Sequence, residues 1–145
     1  MSKVAVVTDS TAYLPEETVS AYGITVVPLV VIWGEETLLD NIDITPEKFY
    51  QRLSMAEVMP STSQATIQAF ANVFQKLHTE GFDILTVVLS SALSGTLDSA
   101  IQAKKMVPDA NIALVDSQYT SLPLAYMALA AARAAKRGAT LEECT

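Results

Sequence analysis

The sequence predicts an α/β domain of three layers, with helices on both faces of a mostly parallel sheet, and three observations carry that prediction. The chain has 145 residues, 50% of them hydrophobic and 17% charged. A chain of that length hides roughly 70% of the surface its unfolded form exposes, enough for a core that needs no disulfide or metal staple. Runs rich in Val, Ile and Leu recur along it and are continuous rather than alternating, as strands covered by helices on both sides are. Segments with a period near 3.6 lie between those runs, the strand–helix alternation of a parallel sheet.

Residues 4–8 form the first strand. A helix follows over residues 15–22, where Pro15 is pre-set for a first helical position and Gly23 stops the run. Residues 25–32 read as the second strand. Thr45 then caps a helix opened by Pro46 and Glu47, with Phe49, Tyr50 and Leu53 on its buried face. In the third helix Ile67, Phe70, Phe74 and Leu77 recur at steps of three and four and so make one stripe, which Gly81 ends. Residues 84–89 and 111–115 are the third and fourth strands. Between them a fourth helix runs over residues 93–107, halted by Pro108, and an Ala-rich fifth follows over residues 122–138. Residues 1–139 thus make up the domain. Thr140 and Glu143 fit a capping box, so residues 140–145 are expected to start a helix that is then cut off, either because the sequence stops at a domain boundary or because the native protein continues.

Composition excludes several functions. Nine Lys and Arg against 16 Asp and Glu give a net charge of −7 and a pI near 4.5. That field opposes nucleic acid and anionic membrane surfaces, both of which need clustered basic groups. The uncharged stretches 18–34, 58–75 and 117–132 fall short of the ~20 apolar residues that a bilayer demands, so no membrane span is expected. The first residues reach Asp9 too soon for a signal peptide, which points to a cytoplasmic protein. A single Cys144 and a single His78 build neither a disulfide nor a Cys/His metal centre.

In open parallel sheets ligands sit beyond the carboxyl ends of the strands, where helix N-termini aim free N–H groups. Here those positions hold Asp9, Ser10 and Thr11 after the first strand, Ser90 to Thr96 after the third, and Asp116 and Ser117 after the fourth. A further hydroxyl cluster, Ser61, Thr62, Ser63 and Gln64, precedes the third helix. None of these loops carries Lys or Arg. The phosphate-cradling pattern G-x-x-x-x-G-K-[ST] and the dinucleotide pattern G-x-G-x-x-G are both absent, and no Ser has a visible His base. Hydroxyls and backbone N–H groups without cations suit a single weak anion such as a carboxylate, or a neutral polar head. Ser, Thr and Asp are also the ordinary helix caps, so each loop taken alone reads as capping. Only the combination points to a ligand, and Ser94 with Gly95 most of all, because Gly lets a ligand approach the backbone.

Those residues carry a resemblance. Val7-Thr8-Asp9-Ser10-Thr11-Ala12-Tyr13-Leu14-Pro15, then Pro28-Leu29-Val30-Val31, Asp43-Ile44, Pro60-Ser61-Thr62-Ser63-Gln64, Ser90 to Thr96 and Val115-Asp116-Ser117 stand in the order and approximate spacing of the DegV family. The chain resembles the N-terminal domain of a DegV-type bacterial fatty-acid-binding protein. The resemblance implies a carrier with no catalytic residues and no cofactor, whose ligand is a long-chain fatty acid held between two domains and presented to a fatty-acid kinase. It implies carboxylate contacts at Thr62, Ser63, Ser94 and Gly95, with Asp9, Ser10, Ser91, Asp116 and Ser117 in support.

Two other readings stand beside this one. Asp9 and Asp116 form a candidate carboxylate pair that would hold Mg²⁺ in a phosphoryl-transfer or hydrolytic enzyme, or the domain is ligand-free and mediates protein contacts. The Ala-rich, uncharged stretch 122–132 is expected to leave an apolar surface exposed and to favour a homo-oligomer.

Overall fold

A computed structural model describes residues 3–145. Seven strands run in chain order as β1 (Lys3–Asp9), β2 (Thr25–Val27), β3 (Val30–Trp33), β4 (Glu36–Leu39), β5 (Ser61–Ser63), β6 (Phe82–Val88) and β7 (Ile112–Asp116). Six α-helices accompany them: α1 (Glu16–Tyr22), α2 (Pro46–Leu53), α3 (Ile67–Thr79), α4 (Thr96–Met106), α5 (Ser121–Lys136) and α6 (Leu141–Cys144). A short 3₁₀ turn, Ser10–Ala12, follows β1.

The main sheet is wholly parallel, with strand order β2-β1-β6-β7. Helices α3 and α4 pack together as one layer over it, while α5, with α1 and α6, forms the other. The apolar runs named from the sequence supply the core: Val7, Ile84, Leu85 and Val88 are fully buried, as are Phe70 and Phe74 of the α3 stripe. The two Phe rings stand 5.8 Å apart between centroids. The capping box at α6 is formed, with the Glu143 N–H on the Thr140 hydroxyl at 3.3 Å and the Thr140 N–H on Glu143 Oε2 at 2.8 Å.

The structure corrects the expected second strand. Residues 25–32 do not run through as one element; they break at Pro28-Leu29 into β2 of the main sheet and β3 of a separate, antiparallel sheet of order β4-β3-β5. Pro28 has no N–H to give a ladder, and the Leu29 N–H is taken by the Ser10 hydroxyl at 3.0 Å. A two-residue turn, with Gly34 at φ 63°, joins β3 to β4, the kind of tight hairpin that calls for a residue without Cβ. Residues 61–63, expected as a loop, are the edge strand β5.

This second sheet has its own small core of Val31, Trp33 and Ile44, against which Phe49 and Leu53 of α2 pack. Arg52 lies over the Trp33 ring, 4.4 Å from its centroid, and pairs with Glu36. Tyr50, expected on the buried face, is 67% exposed. Helix α2 covers only a three-stranded sheet, and just a narrow, half-buried Phe49–Leu53 stripe packs against it. The fourth helix starts at Thr96 rather than residue 93, because Ser90 to Ser94 close a turn in which the Leu93 and Ser94 N–H groups both donate to the Ser90 carbonyl.

Two hydroxyls in the main sheet, those of Thr8 and Thr86, are buried without a hydrogen-bond partner. Thr86 pairs in register with two apolar residues, Val7 and Leu114. Exchanging an unsatisfied hydroxyl for a methyl removes a desolvation cost of about 1 kcal/mol or more. Thr86→Val is therefore expected to raise the midpoint of urea unfolding with no change in slope, and a lowered midpoint would show that the hydroxyl is satisfied.

Candidate functional site

The carboxyl ends of β1 and β6 and the small antiparallel sheet face each other across an open cavity of about 830 Å³. Leu29, Val30, Val31, Phe49, Leu89 and Leu93 make its apolar wall. The four residues expected to hold a carboxylate, Thr62, Ser63, Ser94 and Gly95, all line it. They arrive from two directions. Thr62 and Ser63 belong to the exposed edge strand β5, where Thr62 lies opposite Val31 and Ser63 opposite Val30. Ser94 and Gly95 come from the turn that leads into α4, whose first residue is Thr96.

Thr96 ties the two parts together. Its hydroxyl, fully buried, accepts the Ala65 N–H at 3.4 Å, just beyond β5, and lies 2.9 Å from the Ser94 hydroxyl. Ser94 Oγ also accepts the Thr96 N–H at 3.2 Å, so Ser94 caps α4 from one residue before its N-cap, Gly95. Either hydroxyl can donate in the Ser94–Thr96 contact, and where Thr96 gives its proton to Ser94 Oγ the Ser94 proton is available to a ligand. Among the described residues Thr62 and Ser63 hydroxyls have no protein partner. Gly95 has an ordinary φ of −76°. A Cβ there would stand 2.5 Å from the Gln64 carboxamide oxygen, so any larger residue would have to turn that flexible side chain aside.

The residues expected in support, Asp9, Ser10, Ser91, Asp116 and Ser117, do not line this cavity; they fix the loops around it. Asp9 is fully buried. Its Oδ1 accepts the Thr11 N–H at 2.9 Å and the Thr11 hydroxyl at 2.6 Å, while its Oδ2 accepts the Leu89 N–H at 2.7 Å. Burial pushes the Asp9 carboxyl above the usual carboxylate range, against the lowering effect of those hydrogen bonds. Ser10 holds Leu29. Asp116 accepts from the Ser91 hydroxyl, 2.5 Å away, and from the Gln118 N–H at 3.0 Å, and these bonds hold its carboxyl below the usual range, that of Ser91 foremost. The Ser117 hydroxyl exchanges bonds with the Tyr119 backbone at 3.0–3.1 Å.

Asp9 and Asp116 are not brought together. Strand β6 lies between the strands that carry them, which separates their backbones by roughly 9.6 Å, twice the interstrand spacing. Each carboxylate is taken up by hydrogen bonds from its own loop and from the segment after β6, Asp9 by the Leu89 N–H and Asp116 by Ser91. Among the described residues no three His, Cys, Asp or Glu side chains are grouped to hold a metal ion.

Sequence reasoning misses four residues of the site. Gln64 and Thr96 stand inside motifs whose Ser and Gly neighbours draw the eye, and a Thr at the first position of a helix gives no periodic signal. Asp40 and Tyr13 line the cavity, as Gln64 does, whereas Thr96 only adjoins it. Burial pushes the Asp40 carboxyl up, opposed by hydrogen bonds from Ser10 and the Asn41 N–H, and burial together with the Asp40 charge pushes the Tyr13 phenol up. Nothing in the sequence links Asp40 to the cavity, because β4 and its register are themselves invisible there.

Comparison with known proteins bears directly on this architecture. The model of the family described as "Uncharacterised protein, DegV family" matches residues 3–145. Protein DegV of Bacillus subtilis is 35% identical over 140 residues, 97% of this chain and 50% of that protein. A DegV domain-containing protein of Halalkalibacterium halodurans is 39% identical over 140 residues, 96% of this chain and 50% of the relative. The chain thus spans about half the length of the curated relatives it matches. Among solved structures, that of DegV, a fatty acid binding protein from Bacillus subtilis, superimposes with a TM-score of 0.94 at 34% identity, covering 99% of this chain and 51% of that one. A fat acid (stearic acid)-binding protein from Eubacterium ventriosum gives a TM-score of 0.90 at 32% identity, covering 99% and 50%. With its full described length matched in both sequence and fold, this chain belongs to the DegV family.

Proposed function

We propose that this chain forms the head-group side of a fatty-acid site in a cytoplasmic, non-catalytic carrier, and that the carrier presents the bound carboxylate to a fatty-acid kinase. One observation carries the reading: a single cavity has apolar walls and, at one part of its rim, the hydroxyls of Thr62, Ser63 and Ser94, with no Lys, Arg or His among its described lining residues. Such a surface offers donors to one weak anion and greasy contact to its tail, and it lacks the cations that a polyphosphate needs. The solved relatives described as fatty-acid-binding proteins support the same ligand class. An acyl chain gains about 0.8 kcal/mol per buried CH₂ only when walls enclose it, and the longer relatives have a second half with which to complete them. Self-association through Leu122, Tyr126 and Met127, which stand out from α5, belongs to the same proposal.

Titration with stearic acid tests the head site. Each charge-assisted hydrogen bond contributes about 1.5–3 kcal/mol, so Thr62→Ala is expected to weaken binding about ten-fold or more at unchanged thermal stability. Equal affinity in the variant would remove Thr62 from the site and the carboxylate reading with it.

A further inference from the structure

Among the described residues that line the cavity, Asp40 is the single carboxyl, and no Lys, Arg or His stands with it. It follows β4, and its backbone N–H donates to the Leu29 carbonyl at 3.0 Å. Thr62 lies on the other side of β3, opposite Val31. Two interstrand spacings and two residues of strand separate the Asp40 and Thr62 backbones, roughly 10–12 Å. The two therefore mark opposite ends of one cavity.

Among the described residues no cation offsets the Asp40 carboxylate. Its hydrogen bonds come from the Ser10 hydroxyl and the Asn41 N–H. The other ionisable groups around it are Asp9 after β1, Tyr13 after the 3₁₀ turn, Asp43 in its own loop, and Glu47 and Tyr50 on α2, with Glu16 of α1 beyond them. All are acids or phenols. A second cavity of about 580 Å³ shares Tyr13, Asp40 and Pro46 with the first as a common wall, and its described lining residues likewise include no Lys, Arg or His.

We propose that Asp40 fixes the direction in which an amphiphile lies in this cavity, barring an anionic head from the Tyr13 end and leaving the Thr62–Ser94 end as its place. The inference rests on the fatty-acid reading above and adds to it a residue that selects orientation and head-group charge. An anion beside the half-buried Asp40 would form a like-charged pair with no cation to offset it, which is disfavoured. At about 10 Å the repulsion is still worth about two-fold in affinity in bulk water, and above ten-fold at an effective dielectric constant near 20. Asp40 is thus a positioning residue, acting through repulsion rather than contact.

The test uses three probes with one tail and heads that do not titrate, all below their micelle concentrations and at low salt: dodecanesulfonate, dodecanol and dodecyltrimethylammonium. Asp40→Asn keeps one acceptor for Ser10 and removes the charge. It is expected to tighten sulfonate binding about two- to ten-fold, leave dodecanol unchanged and weaken the ammonium. A measurement on the unaltered protein stands beside it in case the variant does not fold. Sulfonate affinity is expected to fall as pH rises through the range in which Asp40 ionises, and the variant should lack that step. A step that persists in Asp40→Asn would belong to Asp9 and overturn the proposal. If Thr62→Ala weakens sulfonate binding while Asp40→Asn and pH leave it unmoved, Asp40 has no part and the head site stands. Sulfonate binding that ignores Thr62→Ala, or no binding of any probe, overturns the head site and this proposal together.

Discussion

Asp9→Ala is expected to remove about 1.5–5 kcal/mol of folding stability. The carboxylate closes two loops at once. Losing Oδ2 leaves the Leu89 N–H unpaired at a position only 5% exposed, at a cost of about 1–3 kcal/mol. Losing Oδ1 uncaps the 3₁₀ turn at Thr11, worth roughly another 0.5–2 kcal/mol. Denaturant unfolding measures the sum, and a loss under about 1 kcal/mol would mean that the Leu89 amide finds another partner.

Asp9 also gives the variant a signature in pH. Its folded-state pKa is raised, chiefly by burial, so the native state holds this proton more tightly than the unfolded chain does. Stability therefore falls as pH rises from the unfolded-state value through the raised folded-state one. Asp40, raised for the same first cause, acts in the same sense. Asp9→Ala should flatten the Asp9 share of that decline, leaving the variant's deficit smaller at neutral pH than in mild acid to the extent of that share, whereas a pH profile parallel to that of the unaltered chain would mean that Asp9 titrates alike in both states.

Thr96→Val is expected to destabilise the fold by about 2–3 kcal/mol and to weaken fatty-acid binding about ten-fold, though Thr96 itself only adjoins the cavity. Valine fills the same buried volume but offers nothing to the Ala65 N–H, a residue that is itself 0% exposed. Ser94 Oγ simultaneously loses the hydroxyl partner that helps to hold its rotamer beside the cavity. Thr96→Ser restores the oxygen and should recover both properties in large part. Binding in Thr96→Val equal to that of the unaltered chain would show that the Ser94 hydroxyl is oriented without Thr96.

The main sheet was legible because its physics is periodic. Residues 4–8, 84–89 and 111–115 are continuous apolar runs, and the α3 stripe of Phe70, Phe74 and Leu77 is buried as its spacing requires. The antiparallel sheet was not, and for particular reasons. β5 is Ser61-Thr62-Ser63, three exposed polar residues with no apolar face to betray a strand. β4 follows a tight turn and buries none of its four residues. The break at Pro28 could be read as a strand edge, but not as a change of sheet. Hence Thr62 and Ser63 stood out as hydroxyls near a helix, while their place on a strand opposite Val31 and Val30 depended on pairing between segments some 30 residues apart. Asp9 and Asp116 show the opposite case. Their positions at strand ends were correctly anticipated, yet strand order, which no local pattern encodes, sets β6 between them.

The satellite core has a spectroscopic consequence. The single tryptophan of the chain, Trp33, is 4% exposed, donates its indole N–H to the Val58 carbonyl at 2.8 Å and stands 5.3 Å, between centroids, from Phe49, a ring in the cavity wall. Tryptophan emission, excited selectively at the red edge of the aromatic absorption band, therefore originates wholly in the small antiparallel sheet, while far-ultraviolet dichroism is dominated by the helices flanking the large one. The protein carries its own label for the lesser of its two cores. Superimposing the two signals during unfolding tells whether the sheets melt as one cooperative unit or the cavity parts along the seam first.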